Sequence, residues 1–587
     1  LRAIVRRVEG ASQVCELPVR IAGFGLRIAD CGISNRESRV PFSLHGLAFP
    51  PAFGQKQLTM TPVSPDATMN SERPLSRRAR NLTLAAFAIF LAAWPLFTPI
   101  APLQDQMDWL VQAKIIAQPH DPAWAQDYDI AWRPVPNMLG EAAIGLLAKA
   151  VPIFRAAALA YAAYIVLFIA ALAYFLRADG RDRPFAELLG PMYAVNHFFL
   201  MGFFNFALGL AFVLLAVGWL RRRGAAAKAG GWLCFAALAT AIYLSHFLAF
   251  VMLGIVCLVW AAWTFRADLR RWLPLALAFV PALVGLVWYV HARSGEFKSV
   301  YAFHNLLYYI WFQVGPWAPA SSYYPLTPNG AVWINATINA LTILAVPLVV
   351  AVGALRRRFD RGQPWLYAAG LLILIGMILP SQLYEVVRPG QRFIFLGLLL
   401  APLAVTSPAP ARPRRYWVLT GLLAALLAWN CAWWTQAARQ TKQDAAVLDR
   451  FVDAKARVLN IADSHFHFRE GRPYREKAVD PYSFPNSVNP YRYLGYYPIV
   501  ERGGWLGALF GTGVIRVKEP RLLPAVNLVE NLERPELGGQ YSHIVATGEP
   551  GNLKIIQTHA SALFDTDYLG KWLLVMRRKE PAPPAAR

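Results

Sequence analysis

Between residues 82 and 435 the chain is a ladder of apolar stretches, and the breaks between them alternate in charge. About 20 apolar residues in a helix cross about 30 Å of hydrocarbon. Eleven stretches meet or approach that length: 82–102, 156–176, 185–201, 203–220, 231–246, 247–265, 272–291, 331–352, 364–382, 391–407 and 416–435. Every second break is arginine-rich, as in "RPLSRRAR" (73–80), "RADGRDR" (177–183), "RRRGAAAK" (221–228), "RADLRR" (266–271), "RRRFDR" (356–361) and "RPRR" (412–415). The breaks between carry aromatics, His, Asn and carboxylates instead. Cytoplasmic loops retain Lys and Arg, so the alternation predicts both the spans and their direction. It puts the N-terminus in the cytoplasm and everything after residue 435 outside it.

This predicts an all-α polytopic membrane bundle of about 11 transmembrane helices. Only 16% of the residues are charged and 56% are hydrophobic, which argues against a soluble protein of 587 residues. A formal net charge of +23 would ordinarily suggest nucleic acid. The cations, however, sit mainly in short juxtamembrane loops and near the termini, where anionic lipid headgroups are the simpler partner and nucleic acid is not expected. Five scattered cysteines (Cys15, Cys31, Cys234, Cys257, Cys431) predict neither a disulfide framework nor a Cys metal site.

Outside the ladder the composition changes. Residues 1–68 lack hydrophobic periodicity and precede Met69, so they are expected to be a disordered leader or sequence upstream of the true start, with a cytoplasmic tail as the alternative. Residues 69–435 are the membrane domain. Residues 436–578 turn polar, with β-like runs at 456–462, 513–517, 541–548 and 571–579 and a helical segment at 436–455. They predict a small C-terminal α/β domain outside the membrane. The tail 579–587 is expected to be disordered.

One apolar stretch, 137–154, is not counted as a span. Counting it would move every later basic break to the outer face, and it contains Glu141 and Lys149. It is expected to lie along the outer interface, as is 106–118, so the outer loop 103–155 would hold two interfacial helices.

A first span ending at a carboxylate, followed by a long outer loop with two juxtamembrane helices, resembles the GT-C superfamily of integral-membrane glycosyltransferases. More narrowly, "PLQDQMDWLVQAKIIA", "YDIAWRPVPNMLGE", "NHFFLMGFFNFALGLAF" and "RFIFLGLLL" are similar to a bacterial family of multispan membrane proteins. The likeness covers residues 82–435. Asp105 matches that family's leading Asp, whereas Trp109 stands where it has His and Glu141 where it has Asp. The resemblance implies transfer of a sugar from a polyprenyl phosphate to an acceptor at the periplasmic face of a bacterial inner membrane.

Such a transfer needs a carboxylate to take a proton from the attacking hydroxyl. Asp105 is the candidate base. Asp108, three residues on, shares a side with it if both are helical, and Glu141 would complete an acidic cluster. Asp105 and Asp108 are also the candidate ligands of a divalent cation, Mg or Mn. The plainer alternatives are a helix cap for the two aspartates and a Glu141–Lys149 pair. For the donor phosphate the candidates are Arg392 and Arg388, outer-face exceptions to the basic-inside pattern, with His246, Asn205 and His197 at outer hairpin tips. Arg388 pairing with Glu385 is the alternative there. An Asp-x-Asp pair at Asp127 and Asp129, the group His291, Glu296 and His304, and the i, i+2 pair His465 and His467 are weaker signals. Two other classes stay open: a transporter or flippase, and a non-catalytic assembly or sensor protein.

Overall fold

The computed structural model describes residues 75–98, 100–130, 132–181, 183–292, 329–355, 363–380, 386–405, 413–462, 487–506, 514–518 and 529–580, with short pieces at 299–300, 313, 322–323 and 382–383. Glu385, Glu296, His304, His465 and His467 lie outside the described residues. Residues 75–587 form one compact unit.

Among the described residues, six helices are long and apolar enough to cross a membrane. They are α1 (Arg77–Phe97), then, after two shorter helices α2 (Gln106–Ala117) and α3 (Leu139–Leu147), α4 (Ile153–Arg177), α5 (Phe204–Arg223), α7 (Phe247–Phe265), α8 (Leu269–Ala292) and α12 (Pro413–Phe451). Four further apolar helices are shorter or interrupted: α6 (Ala229–Ser245), α9 (Asn329–Leu355), α10 (Pro364–Ile378) and α11 (Pro389–Leu400). The 25 residues of α4 reach about 37 Å at 1.5 Å each, enough for the hydrocarbon with little to spare. It packs against α1 on one side and α5 on the other, and α10 packs on α11 and α7.

One expected span is not a helix. Stretch 185–201 is broken into Pro184–Glu187, Leu189–Ala194 and His197–Leu200. Pro184 and Pro191 bring no N–H, and Asn196 restarts the helix by accepting the Phe199 N–H at 3.1 Å on its side-chain oxygen. A side chain holds part of the freed backbone, Tyr164 donating to the Ala194 carbonyl at 2.9 Å, and Tyr193 ties the stretch to α9 by donating to the Thr342 carbonyl at 3.2 Å. Non-helical backbone at membrane depth is tolerated where protein covers it, and this stretch is buried from Tyr193 onward, while Phe185 is exposed and Ala186, Leu189 and Met192 are half-buried.

Three other expectations are corrected. The interfacial helix expected over 137–154 spans only Leu139–Leu147, because Pro152 ends the approach to α4. The one expected over 106–118 forms as α2, but it does not lie on a surface: ten of its twelve residues are buried, Gln106, Asp108 and Gln112 among them. Helix α3, helix α4 and the C-terminal segment at 494–502 cover it. The span 416–435 and the helical segment 436–455 are one helix, α12, whose 39 residues run about 58 Å. It carries the chain from the apolar bundle to the polar C-terminal region without a break.

There, β2 (Val458–Ala462), β4 (His543–Thr547), β5 (Phe564–Leu569) and β6 (Leu573–Arg578) form one sheet in the order β5-β6-β4-β2, with β2 and β4 parallel and the other neighbours antiparallel. Strand β3 (Ile515–Val517) lies outside that sheet and pairs with β1 (Tyr128–Ile130) in the loop between α2 and α3. Loop and C-terminal region are thereby tied together: Tyr128↔Val517 is in register, and the Leu506 N–H donates to the Tyr128 hydroxyl at 2.9 Å.

The arginine-rich end is held by ion pairs, of which Arg80–Glu187 is buried on both sides. Glu187, fully buried, accepts from Arg80 at 3.2 Å and from Arg177 at 2.6 and 2.8 Å, while Asp179 holds Arg183 at 2.8 Å and Arg221 at 2.6 Å. These pairs join α1, α4, α5 and the start of the broken stretch.

Candidate active site

At the opposite end of α1 the chain turns at Leu103–Asp105 and runs beside the turn that closes the broken stretch. The Gln104 and Asp105 N–H groups donate to the carbonyls of Leu200 and Met201 at 3.0 and 3.2 Å. This closeness depends on Gly202, whose φ is +83°: a Cβ there would stand 2.6 Å from the Asp105 nitrogen. The turn at Gly202 thus fixes where Asp105 sits.

Asp105 occupies the N-cap position of α2, yet its carboxylate makes no cap hydrogen bond. Its place there, with Asp108 in the first turn, is the one the charge-capping alternative expects. Its neighbours are the Gln104 amide at 3.4 Å and the Arg492 guanidinium at 3.9 Å. Burial raises its pKa to about 6, and Arg492, Gln104 and Arg392 act against that rise.

Asp108, fully buried, accepts from Gln112 at 2.9 Å, one turn along α2. Glu141, in the first turn of α3, accepts from the Asn205 amide at 2.7 Å through Oε1, and its Oε2 is buried without a partner. Lys149 is not its partner. Burial lifts Glu141 to about 8, and the charge of Asp108 adds to the rise. Asn205 does more than the sequence suggests: its oxygen accepts the Gly140 N–H at 2.7 Å and its amide also donates to the Asn137 carbonyl at 3.2 Å, so it clamps the start of α3 to α5.

The cations arrive from α11. Arg392, 3% exposed, lies over the rings of Phe203 and Phe206 at 4.4 and 4.9 Å and donates to the Val387 carbonyl at 3.1 Å. No carboxylate is within ion-pair distance of it among the described residues, and its Nε has no partner. Its Nη1 stands 2.6 Å from His246 Nε2, while the Leu248 N–H donates to His246 Nδ1 at 3.0 Å. A neutral imidazole has one lone pair for those two donors, so in either tautomer one N–H in this contact lacks an acceptor. Beside it, Arg388 stands 3.4 Å from His197 Nε2, and His197 Nδ1 is buried without a partner. Such orphaned donors in a buried setting mark a place built for an acceptor.

The structure therefore brings Asp105, Asp108, Glu141, Arg392, Arg388, His246, Asn205 and His197 to one end of the bundle. The residues do not fit a resident divalent cation. Asp108 faces a Gln amide, Asp105 faces a Gln amide and a guanidinium, and among the described residues no three His, Cys, Asp or Glu gather at metal-binding range. The Asp127/Asp129 pair also divides: Asp129 points outward to Lys518 at 3.4 Å.

Two contributors have no counterpart in the sequence reading. Arg492 and Asn489, whose N–H donates to the Gln104 side chain at 3.2 Å, come from the C-terminal region, more than 380 residues from Asp105. Tyr493 and Tyr496 stand near enough to feel the charge of Asp108, and their hydroxyls are driven upward in pKa by burial first; for Tyr496 the Asp108 charge comes next, and for Tyr493 Arg492 opposes the rise while Asp105 and then Asp108 add to it. The signal for Arg492 is weak but present: it is a lone Arg in the aromatic run "NPYRYLGYYP".

No protein-family model matches the chain, and neither does any curated protein. Solved structures similar to it include the arabinofuranosyltransferase AftD from Mycobacteria, at 16% identity over 86% of this chain and 42% of that one, with a TM-score of 0.44. They also include ArnT from Cupriavidus metallidurans, in the apo state (9% identity, 84% of this chain and 97% of that one, TM-score 0.47) and bound to undecaprenyl phosphate (10%, 85% and 98%, TM-score 0.44). The chain thus spans less than half the length of AftD. Both are GT-C glycosyltransferases. With every score under 0.5 the likeness assigns nothing to this site, whose chemistry follows from its own side chains.

Proposed function

We propose that this chain is an integral-membrane glycosyltransferase that moves a sugar from a polyprenyl-phosphate donor to an acceptor hydroxyl at the periplasmic face of a bacterial inner membrane. The observation that carries the reading is the unsatisfied Arg392–His246 contact beside Asp105. An anionic oxygen there takes hydrogen bonds from both residues and pairs with a guanidinium that has no carboxylate within ion-pair distance among the described residues.

In the reaction, the acceptor oxygen attacks the anomeric carbon as the bond from that carbon to the phosphate oxygen breaks. The electron pair of the broken bond leaves with the polyprenyl phosphate. Asp105, ionised above about pH 6, takes the proton of the attacking hydroxyl. Arg392, with His246, holds the phosphate and stabilises the charge that grows on it; Arg388 and His197 extend the cationic wall. Glu141, with a pKa of about 8, stays protonated at neutral pH and gives the cluster one neutral acid beside one anionic base. The basic end faces the cytoplasm, and the C-terminal region that carries Arg492 lies outside it.

The direct check is binding of a labelled polyprenyl phosphate to the purified protein. Wild type is expected to bind it, and Arg392→Gln to lose at least tenfold in affinity. Absence of binding, or equal binding by the variant, overturns the assignment. The broken stretch 184–200 beside the site favours a second reading, a transporter, since transporter sites use interrupted helices. Binding of the lipid without any sugar transfer would favour that reading.

A further inference from the structure

The end of the bundle away from the acidic cluster holds a cavity of about 680 Å³ between α1 and α4. Its inner walls are apolar, with Leu84, Ala88, Ile169 and Ala170 among them, and its mouth is basic, set by Arg77 and Arg222. The volume is that of an ordinary small-molecule pocket.

The arginines of this end fall into two sets. Arg80, Arg177, Arg183 and Arg221 are occupied by Glu187 and Asp179. Arg77 and Arg222 are exposed and have no carboxylate partner among the described residues. The network thus consumes the local carboxylates and leaves two guanidiniums at the rim of an apolar cleft. In a helix pair that crosses a bilayer, such a cleft opens on the lipid, and its rim lies at headgroup depth. The partner that matches both parts is amphiphilic, with an anionic phosphate at one end and an acyl chain at the other.

We infer that this cleft is a binding site for an anionic phospholipid, with its acyl chain between α1 and α4 and its phosphate between Arg77 and Arg222. The inference needs the chain to be in a membrane and does not rest on the transfer reaction. None of its residues belongs to the acidic site.

The test is native mass spectrometry of the full-length protein in detergent, titrated with phosphatidylglycerol or phosphatidylcholine. Wild type is expected to retain phosphatidylglycerol and to bind phosphatidylcholine at least tenfold more weakly. Each of Arg77→Gln and Arg222→Gln should weaken phosphatidylglycerol about fivefold and the double variant roughly 30-fold, as expected for about one headgroup interaction per arginine. Ala170→Trp, which fills the cleft and leaves the arginines in place, should weaken it as well. Equal retention by wild type and the double variant overturns the site, as does equal binding of the two lipids. Displacement by inorganic phosphate alone also overturns it. Polyprenyl phosphate binding should be unchanged in these variants, which separates a failure here from a failure of the proposed function.

Discussion

Glu141 keeps its proton at neutral pH because ionising it would leave a charge in a place with one amide donor and no water-facing edge. Asp105, nearer to two guanidiniums, loses its proton sooner, at about pH 6 against about 8 for Glu141. A transferase that uses the first as a base and the second as a neutral acid has a bell-shaped pH profile with limbs near those values, measurable as kcat/KM for sugar transfer. Glu141→Gln should keep the acid limb and flatten the alkaline one. The same shift makes a stability statement. A folded-state pKa raised from 4.5 to about 8 contributes stability that is fully present below pH 4.5 and is lost as pH rises through about 8. Melting of the wild type should therefore fall between about pH 6 and pH 8, above the range in which Asp105 titrates, while Glu141→Gln holds across that window. At this scale the sequence was informative about charge and uninformative about partners. Asp105, Glu141 and Arg392 stand out as ionisable residues in or beside apolar runs. Arg492 does not, because nothing in its own neighbourhood says that it returns to Asp105.

Gly202 shows how an element sets the position of a residue it does not belong to. Its left-handed backbone turns the chain where Asp105 passes, and any Cβ meets the Asp105 backbone. Gly202→Ala should cost about 1–3 kcal/mol of stability and lower transfer by displacing Asp105, read out by melting and by activity in the same preparation. At the basic end, Glu187→Gln leaves Arg80 and Arg177 buried without their anion, a loss of about 3–5 kcal/mol that calorimetry would register. Hydrophobic length located the helices well at α4 and α7, where the apolar run and the helix coincide. It failed at 184–200, where apolar residues are buried in broken backbone instead of a helix. It failed again at α2, whose polar residues face other protein and not water, since a run of letters does not say what covers it.

For the molecule as a whole, the separation of charge is the organising fact: ion-paired arginines at one end, an acidic and histidine-rich cluster at the other. If the first end is cytoplasmic, single cysteines placed at the two ends of a background with Cys15, Cys31, Cys234, Cys257 and Cys431 replaced by Ser should differ. His120→Cys should react with a membrane-impermeant thiol reagent in intact spheroplasts, and Arg223→Cys should not. The helical bundle was legible in the sequence because bilayer thickness writes itself into composition. The pairing of β1 with β3, which joins the segment between α2 and α3 to the C-terminal region, was not, because a three-residue strand carries no signal for a partner almost 400 residues away. The most direct measurement is sugar transfer itself, with purified protein, a panel of radiolabelled polyprenyl-phosphate sugars and a membrane extract as acceptor. Wild type should transfer label from at least one donor, and Asp105→Asn, folded and still able to bind polyprenyl phosphate, should be slower by roughly 100-fold or more. Transfer by Asp105→Asn at the wild-type rate, or none by wild type from any donor, would contradict the account.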